Sequence, residues 1–279
     1  MIRRLQITVL VENTAGDRDV LAEHGLSLLV EADNRRMLFD TGQGRAFLDN
    51  ARRLGISVDS IDAAVLSHGH FDHTGGLTHL NAVSRSFRLF VHPEALAVRY
   101  GWRETPPPRP IGMPEEAANM VRQIENRVVW TTGPTRIMED VWVTGPIPRR
   151  TDFEDTGGSF FLDAECTVPD PFADDQAVWL ETQTGRVVLL GCAHSGTVNT
   201  LDHISELTRR QSIYAVIGGM HLIRADARRL RATAEALEQH DVQYVVPCHC
   251  TGDGAMAFLR GKIGDRLIPC ATGSRLSLV

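Results

Sequence analysis

A short polar segment near residue 70 concentrates side chains that bind metal ions. Within residues 66–76, three imidazoles and one carboxylate occupy six positions, namely His68, His70, Asp72 and His73. Imidazole nitrogens and carboxylate oxygens are ligands for Zn²⁺, Fe and Mn. A solvated polar loop is the alternative explanation, but four such groups in one loop cost folding stability unless something satisfies them. The spacing therefore predicts a metal site.

The spacing within this segment favours two ions. His68 and His70 are two positions apart, so in extended backbone both side chains project to the same side. Asp72 and His73 follow in the turn, where they can face a second ion about 3.5–4 Å away, the usual two-metal separation. One loop can start both sites but complete neither, so we expect further ligands at the ends of other strands.

Several motifs resemble those of one enzyme superfamily. The pattern His-x-His-x-Asp-His after a buried strand resembles the signature of the metallo-β-lactamase superfamily, and the turn at 38–42 resembles its early motif. The Gly-Gly-Leu at 75–77 and the segments 191–196, 218–222 and 248–252 are together similar to its dihydropterin–ribofuranosylaminobenzene phosphate synthase-like branch of metal-dependent hydrolases. This resemblance covers nearly the whole chain. It implies an α/β fold (α+β in some schemes), a four-layer αββα sandwich with a mono- or dinuclear site along the sheet edges.

The resemblance also implies the distant ligands. His194 and His249 each follow a predicted strand. His194 is expected to join His68 and His70 at the first ion. His249 is expected to complete the second set, with the carboxylate and the last histidine of the polar segment. A structural histidine is the alternative at either position.

One position departs from the superfamily's pattern. Where the wider superfamily often has a Gly-Asp pair with a bridging carboxylate, this chain has Gly191 and Cys192. The thiolate of Cys192 is a candidate ligand for a soft metal, and a small buried residue is the alternative. Asp174 and Asp175 are further candidates to replace the missing carboxylate.

The remaining histidines and cysteines receive weaker interpretations. His221 follows two glycines that permit close backbone approach, so we expect it to contact substrate or a developing oxyanion; a structural histidine is the alternative. Cys248 and Cys250 alternate with His249, which predicts that both thiols point away from it. His24 lies in a polar surface pattern and receives no role.

The expected chemistry is metal-assisted hydrolysis by a single enzyme. Two divalent ions, Zn²⁺ first and Mn or Fe as alternatives, bind a water and lower its pKa toward neutrality. Asp72 orients that water and His221 donates to the developing anion. The branch resemblance implies a phosphoester or phosphate-bearing small molecule, while lactones, thioesters and amides stay open. An iron-dependent oxidoreductase on the same fold and a non-catalytic metal-bearing binding protein are the other hypotheses.

The pattern of apolar runs predicts the elements that position these residues. Strands are expected at 2–11, 61–66, 88–92, 128–130, 141–143, 213–217 and 242–246, with hairpins at 26–40 and 177–191. Helices are expected at 45–54, 197–210, 225–240 and 254–262. Segments near 100–120 and 145–175 are predicted to be irregular and to shape the pocket mouth. The whole chain, 1–279, is interpreted as one domain.

Composition bounds the remaining properties. The chain has 279 residues, a formal charge of −6 and 43% apolar residues. This mild acidity gives no electrostatic reason for a nucleic-acid partner. No apolar run approaches the roughly 20 residues of a membrane span. The five cysteines are an odd, sparse set, which favours free thiols and a cytoplasmic location. The sequence predicts a small-molecule substrate. It does not indicate the oligomeric state.

Overall fold

The computed structural model describes residues 1–102, 104–105, 107–209 and 212–279. One of its two large sheets consists of β1 (Leu5–Val11), β2 (Ser27–Ala32), β3 (Arg35–Phe39), β4 (Ala63–Val65), β5 (Arg88–Val91), β8 (Val128–Trp130) and β16 (Arg275–Ser277). Their order across the sheet is β16-β1-β2-β3-β4-β5-β8. The pairs from β3 through β4 and β5 to β8 are parallel, whereas β1, β2 and β16 pair in antiparallel fashion.

The second large sheet carries the later part of the chain. It consists of β9 (Thr135–Met138), β10 (Val141–Val143), β12 (Val178–Thr182), β13 (Gly185–Leu190), β14 (Ile213–Gly219) and β15 (Tyr244–Cys248), in the order β15-β14-β13-β12-β10-β9. Strands β13, β14 and β15 are parallel neighbours. A small sheet of order β11-β6-β7 joins β6 (Tyr100–Gly101), β7 (Arg109–Pro110) and β11 (Phe160–Phe161).

Helices cover the outer faces of the two large sheets. The α-helices are α1 (Ala46–Arg53), α2 (Phe71–Thr74), α3 (Leu77–Val83), α4 (Glu115–Gln123), α5 (Thr197–Leu207), α6 (Ala227–Gln239) and α7 (Asp253–Ile263). Short 3₁₀ turns occupy Pro93–Leu96, Glu125–Arg127 and Gly264–Arg266. Within the described residues, none of the helices has the length and apolar character needed to cross a membrane.

Three buried apolar clusters define four layers. The central cluster joins the inner faces of both sheets, for example Leu28 of β2 and Leu189 of β13. A second cluster packs the other face of the first sheet, including Leu29, against Phe47 of α1 and residues of α3 and α4. A third packs the outer face of the second sheet against α5, α6 and α7, where Leu237 is buried. Because successive strand residues point to opposite faces, these doubly buried strands are almost continuously apolar. The αββα sandwich predicted from the sequence is confirmed.

Short elements differ from the sequence prediction. The polar loop expected at 67–76 contains α2, the region near 100–120 contains β6, β7 and the start of α4, and the region near 145–175 contains β11. Strands β9 and β16 and helix α3 were not predicted. Two-residue strands and one-turn helices are too short to show a hydrophobic periodicity. In addition, β6 pairs with β11, about 60 residues away, and local sequence does not reveal such a pairing. Arg103, Pro106 and Arg210, which fall in predicted segments, lie outside the described residues.

The carboxyl ends of several parallel strands meet at one edge of the sandwich. The polar segment at 67–76 follows β4, and the segments beginning at 191, 220 and 249 follow β13, β14 and β15. Ligand sites in α/β folds form outside the carboxyl ends of strands. This edge therefore collects the residues for which the sequence predicts chemistry.

Candidate metal centre

The first predicted ligand set is brought together at the junction of the two sheets. His68 and His70 follow β4 in one sheet, and His194 follows β13 in the other. The ring centroids lie 4.6 Å apart for His68 and His70, 4.8 Å for His68 and His194, and 4.9 Å for His70 and His194. The Nε2 atoms of all three rings are buried and have no hydrogen-bond partner among the described residues. Buried polar atoms are rarely left unpaired, so this convergence fits a bound cation.

Hydrogen bonds at Nδ1 fix the tautomers of two rings of this set. The Nδ1–H of His194 donates to the carbonyl oxygen of Thr156 at 2.8 Å. The hydroxyl of Ser67 donates to Asp40 at 2.7 Å and lies 2.9 Å from Nδ1 of His68, which makes that nitrogen the donor. In both rings the proton is therefore on Nδ1. The Nε2 lone pairs face the centre of the site, as metal ligation requires.

Burial keeps the first set neutral. Desolvation lowers the pKa of His68, His70 and His194 well below the usual histidine value, and the neighbouring imidazoles lower it further. A neutral imidazole is the form that binds a metal ion, because its lone pair is free. The first set therefore needs no deprotonation to accept a cation.

The second predicted set is also assembled. Nε2 of His73 lies 3.2 Å from Nε2 of His249, and Oδ2 of Asp72 lies 3.5 Å from the same nitrogen of His249. Nδ1 of His73 is 2.7 Å from Oδ2 of Asp40. Nδ1 of His249 is 3.0 Å from Oδ1 of Asn13, whose amide nitrogen donates to the carbonyl of His249. Both Nδ1 atoms are donors in this arrangement, so two Nε2 atoms face each other and need a cation between them.

The surrounding carboxylates favour a positive charge on His73. Burial opposes charge on His73, but Asp40 and Asp72 outweigh it and raise the pKa of His73 to about 9. Burial likewise opposes charge on Asp72, but His73 and a hydrogen bond from His24 lower its pKa below the usual range. The second set thus already stabilises one positive charge at its centre, which is the electrostatic condition for a divalent ion.

The sulfur of Cys192 lies between the two sets. Its Sγ is 3.2 Å from Nε2 of His73. Ligand atoms of His68, Cys192 and His194 lie within 4.8 Å of one another, and the same holds for His73, Cys192 and His249. Burial raises the pKa of the Cys192 thiol well above its usual value. Cys192, where the resemblance would lead us to expect a carboxylate, therefore lies within reach of ligand atoms from both sets.

Cys250 has contacts that the sequence did not predict. Its Sγ lies within 4.8 Å of ligand atoms of Cys192 and His221. His249, between the two cysteines, adopts a left-handed backbone conformation with φ of 52°, which turns the chain. Burial opposes a thiolate at Cys250, but its interactions with Cys192 and His221 outweigh burial and lower its pKa well below the usual value. His221 lies beside the first set, with its ring centroid 4.5 Å from that of His194.

Several functional contacts were missed by sequence reasoning. Nε2 of His24 lies 3.1 Å from Oδ2 of Asp72 at the exposed mouth of the second set. Asp40 holds His73 and Ser67, and Glu12 accepts the backbone N–H of His249 at 2.8 Å. Asp40 could have been found as an acidic residue directly after a buried strand. His24 and Glu12 carry no local signal, because only the fold brings them close.

The two aspartates considered as substitute ligands have another role. Asp174 accepts the backbone N–H of Gly69 at 2.7 Å and pairs with buried Arg99 at 2.6 Å. Asp175 accepts the backbone N–H of Ser195 at 2.7 Å, and burial raises its pKa to about 7. Neither belongs to a cluster of potential metal ligands among the described residues. They fix the backbone of the ligand-bearing loops.

Two aromatic rings cover the first set. Phe172 stacks on His194 with 3.9 Å between centroids and contacts His70 edge-on at 5.3 Å. Phe160 of β11 lies 5.4 Å from His70 and 5.3 Å from His194. Both rings come from the region near 145–175. They pack against two histidines of the first set.

Known proteins resemble this chain over most of its length. Residues 21–249 match the model of the metallo-β-lactamase superfamily. The 7,8-dihydropterin-6-methyl-4-(β-D-ribofuranosyl)-aminobenzene-5′-phosphate synthase of Methanocaldococcus jannaschii is 31% identical over 264 residues, covering 90% of this chain and 89% of the relative. The structure of Tm1679, described as a metal-dependent hydrolase of the β-lactamase superfamily, is 30% identical with a TM-score of 0.81 and covers 98% of both chains. Zn²⁺-bound PqqB from Methylobacterium extorquens is 14% identical with a TM-score of 0.60, over 97% of this chain and 99% of its own, and shares the fold alone. The chain belongs to the metallo-β-lactamase superfamily and is similar to its dihydropterin–ribofuranosylaminobenzene phosphate synthase branch.

Proposed function

We propose that this protein is a hydrolase with a dinuclear metal centre, the first ion held by His68, His70 and His194. The second ion is held by Asp72, His73 and His249, with Cys192 between the two. One observation carries the proposal, namely the convergence of the Nε2 atoms while the Nδ1 atoms of four of the five rings are already engaged: His68, His73, His194 and His249. Zn²⁺ is the preferred ion because imidazole, carboxylate and thiolate all suit it, and Mn or Fe are alternatives.

The protein's own groups divide the work around such ions. When bound, divalent ions supply Lewis acidity and lower the pKa of a bound water toward neutrality. Asp72 lies between His24 and His249, so its carboxylate is placed to orient a nucleophile and His24 to pass its proton to solvent. His221 lies beside the first set and donates to the oxygen that gains negative charge. Phe160 excludes bulk water from the same side.

The proposed substrate is a phosphoester or another phosphate-bearing small molecule. The 31% identical relative is named for a product that carries a 5′-phosphate, and a dinuclear centre stabilises charge on phosphate oxygens. All five cysteines are free thiols in the structure, which supports the proposal of a reducing, cytoplasmic location.

The test begins with metal content per chain, measured by mass spectrometry on untagged protein purified without chelator. Two ions per chain and hydrolysis of a chromogenic phosphodiester are expected. His68→Ala is expected to lower the ion content and reduce hydrolysis to background. His79→Ala is the matched control, because His79 lies on α3 and belongs to no ligand cluster among the described residues. Turnover that survives alanine at both His68 and Asp72, or protein that binds no metal after reconstitution, contradicts the proposal.

A second candidate function is a synthase reaction like that in the relative's name. It is favoured by the 31% identity over 90% of this chain. The same metal-loaded protein is incubated with a 7,8-dihydropterin that carries a diphosphate leaving group on its 6-methyl carbon and with a ribofuranosyl-aminobenzene 5′-phosphate, whose amine would displace diphosphate and lose its proton to solvent. The joined product and the released diphosphate are sought by mass spectrometry. Joined product without phosphodiester hydrolysis selects the synthase. Hydrolysis without joined product selects the hydrolase.

A further inference from the structure

Two cysteines and one histidine occupy equivalent positions on three neighbouring strands. Cys192, His221 and Cys250 each lie two residues beyond the last residue of β13, β14 and β15, respectively. These strands are parallel neighbours in the order β15-β14-β13. Leu190 of β13 pairs with Gly218, and Gly219 of β14 pairs with Cys248, so the three side chains follow strand ends that lie within one residue of the same level. His221 and Cys250 belong to neither of the histidine-rich sets described above.

The central strand is shaped to let the two thiols meet. Strands β13 and β15 are separated by β14, so their following loops must converge above the end of β14 for Cys192 and Cys250 to make contact. That end is Gly219, where a Cβ would lie 2.6 Å from Sγ of Cys250 and 2.5 Å from the carbonyl oxygen of Gly191. Any larger residue at 219 would push the two loops apart. The Sγ of Cys250 consequently lies 3.6 Å from the carbonyl oxygen of Cys192.

The three ligand atoms already have nearly the spacing of a metal site. The two Sγ atoms and an imidazole nitrogen of His221 all lie within 4.8 Å of one another. Bonds of about 2.3 Å to sulfur and about 2.0–2.1 Å to nitrogen are typical of zinc-like ions. Small side-chain movements therefore suffice to close the set around one ion. Cys192 and Cys250 are 3% and 9% exposed, so the sulfurs are shielded from bulk solvent.

The chemistry of this set differs from that of the histidine-rich sets. Two thiolates and one imidazole favour soft d¹⁰ ions such as Cd²⁺ or Cu⁺, and they also bind Zn²⁺. Sets that contain a carboxylate accept harder ions as well. We infer that Cys192, His221 and Cys250 form a separate site for a thiophilic ion. Because Cys192 also lies between the two histidine-rich sets, an ion bound here draws that sulfur away from them.

The inference is tested with Cd²⁺ on metal-free protein, kept reduced with a phosphine. The ultraviolet charge-transfer band of thiolate–cadmium bonds is followed during titration, and sulfur neighbours per cadmium are counted by X-ray absorption. Wild type is expected to give a cadmium ion with two sulfur ligands, in addition to any cadmium that the histidine-rich sets take up. Cys250→Ala is expected to halve the band and leave one sulfur. Its cadmium affinity is expected to fall by at least the roughly 10–100-fold that loss of an outer partner of a ligand costs.

Cys248→Ala is the matched control, since it makes the same change two residues away, at the end of β15. Cys248 contacts Cys270 and lies in the central apolar cluster, outside the ligand clusters of the described residues. Its cadmium band is expected to match wild type. An equal band in wild type and Cys250→Ala, or the absence of any cadmium ion with two sulfur ligands in wild type, overturns the inference. Phosphodiester hydrolysis by the zinc-loaded protein is a separate readout, so this inference and the proposed function can fail independently.

Discussion

Asp40→Asn is expected to weaken the binding of one metal ion more than that of the other. The carboxylate of Asp40 accepts three hydrogen bonds of 2.7 Å, from Nδ1 of His73, from the backbone N–H of Ser67 and from its hydroxyl. Asparagine replaces one acceptor oxygen with a donor, so at least one of these donors loses its partner. If His73 responds by moving its proton to Nε2, the lone pair that faces His249 is lost.

The magnitude follows from the contacts that change. Loss of an outer partner of a metal-binding histidine typically costs about 10–100-fold in metal affinity. Each lost hydrogen bond to a charged group also costs about 1.5–3 kcal/mol of folding stability. We therefore expect one ion of the metal-loaded protein to bind about 10–100-fold more weakly. The affinity for the other ion is expected to fall less, because Asp40 contacts its proposed ligands only through Ser67. Those proposed ligands are His68, His70 and His194.

Competition with a chromogenic zinc chelator measures both affinities. Asp33→Asn is the matched control, since Asp33 lies at the opposite end of the same β2–β3 hairpin. Asp33 also has a left-handed backbone, with φ of 52° against 59° at Asp40. The same substitution at the two positions therefore has a similar local backbone effect. Identical two-step binding curves for Asp40→Asn and wild type would refute the role assigned to Asp40.

Three further outcomes are expected. Arg99→Met leaves Asp170 and Asp174 as buried carboxylates without their cation, so thermal unfolding should show a loss of about 3–5 kcal/mol; an unchanged midpoint would contradict this. Phe160→Ala uncovers the first histidine set. Because aromatic contacts contribute about 0.5–1.5 kcal/mol each, a chelator should remove the ion from this set about tenfold faster than in wild type, as measured by stopped flow. Equal rates would exclude a covering role for Phe160. Burial raises the pKa of Glu154, so above the ordinary glutamate pKa the folded protein retains a proton that the unfolded chain has lost, and the free energy of unfolding falls as pH rises. The free energy of unfolding of wild type relative to Glu154→Gln should therefore decrease from about pH 4.5 upward. A pH-independent difference would disprove this.

Local sequence predicted the residues that lie on one short segment. His68, His70, Asp72 and His73 are adjacent in the chain and follow a buried strand, so their clustering needed no knowledge of the fold. His194 and His249 could be assigned only through the resemblance to the superfamily. Their approach to the segment depends on how two sheets pack, which hydrophobic periodicity does not specify.

The residues that sequence reasoning missed act through distant contacts. Asn13 fixes the tautomer of His249 across 236 residues of chain, and Gln176 donates to the carbonyl of Leu66 across 110. Neither has a spacing that indicates a function. The contact of Cys250 with Cys192 and His221 was missed for a different reason, because alternation assumes extended backbone. The left-handed conformation of His249 breaks that assumption, and such conformations concentrate at functional sites.

The ligand sets also connect parts of the chain that are far apart. His73 and His249 are separated by 176 residues, and they extend from different sheets of the sandwich. A covalent link closing a loop of this length would contribute about 5 kcal/mol by restricting the unfolded chain, and a metal clip acts on the same principle. An ion bound by both histidines, as proposed above, would therefore have to dissociate before the two sheets could separate. The lifetime of the metal-loaded folded protein would then depend in part on the rate at which that ion dissociates.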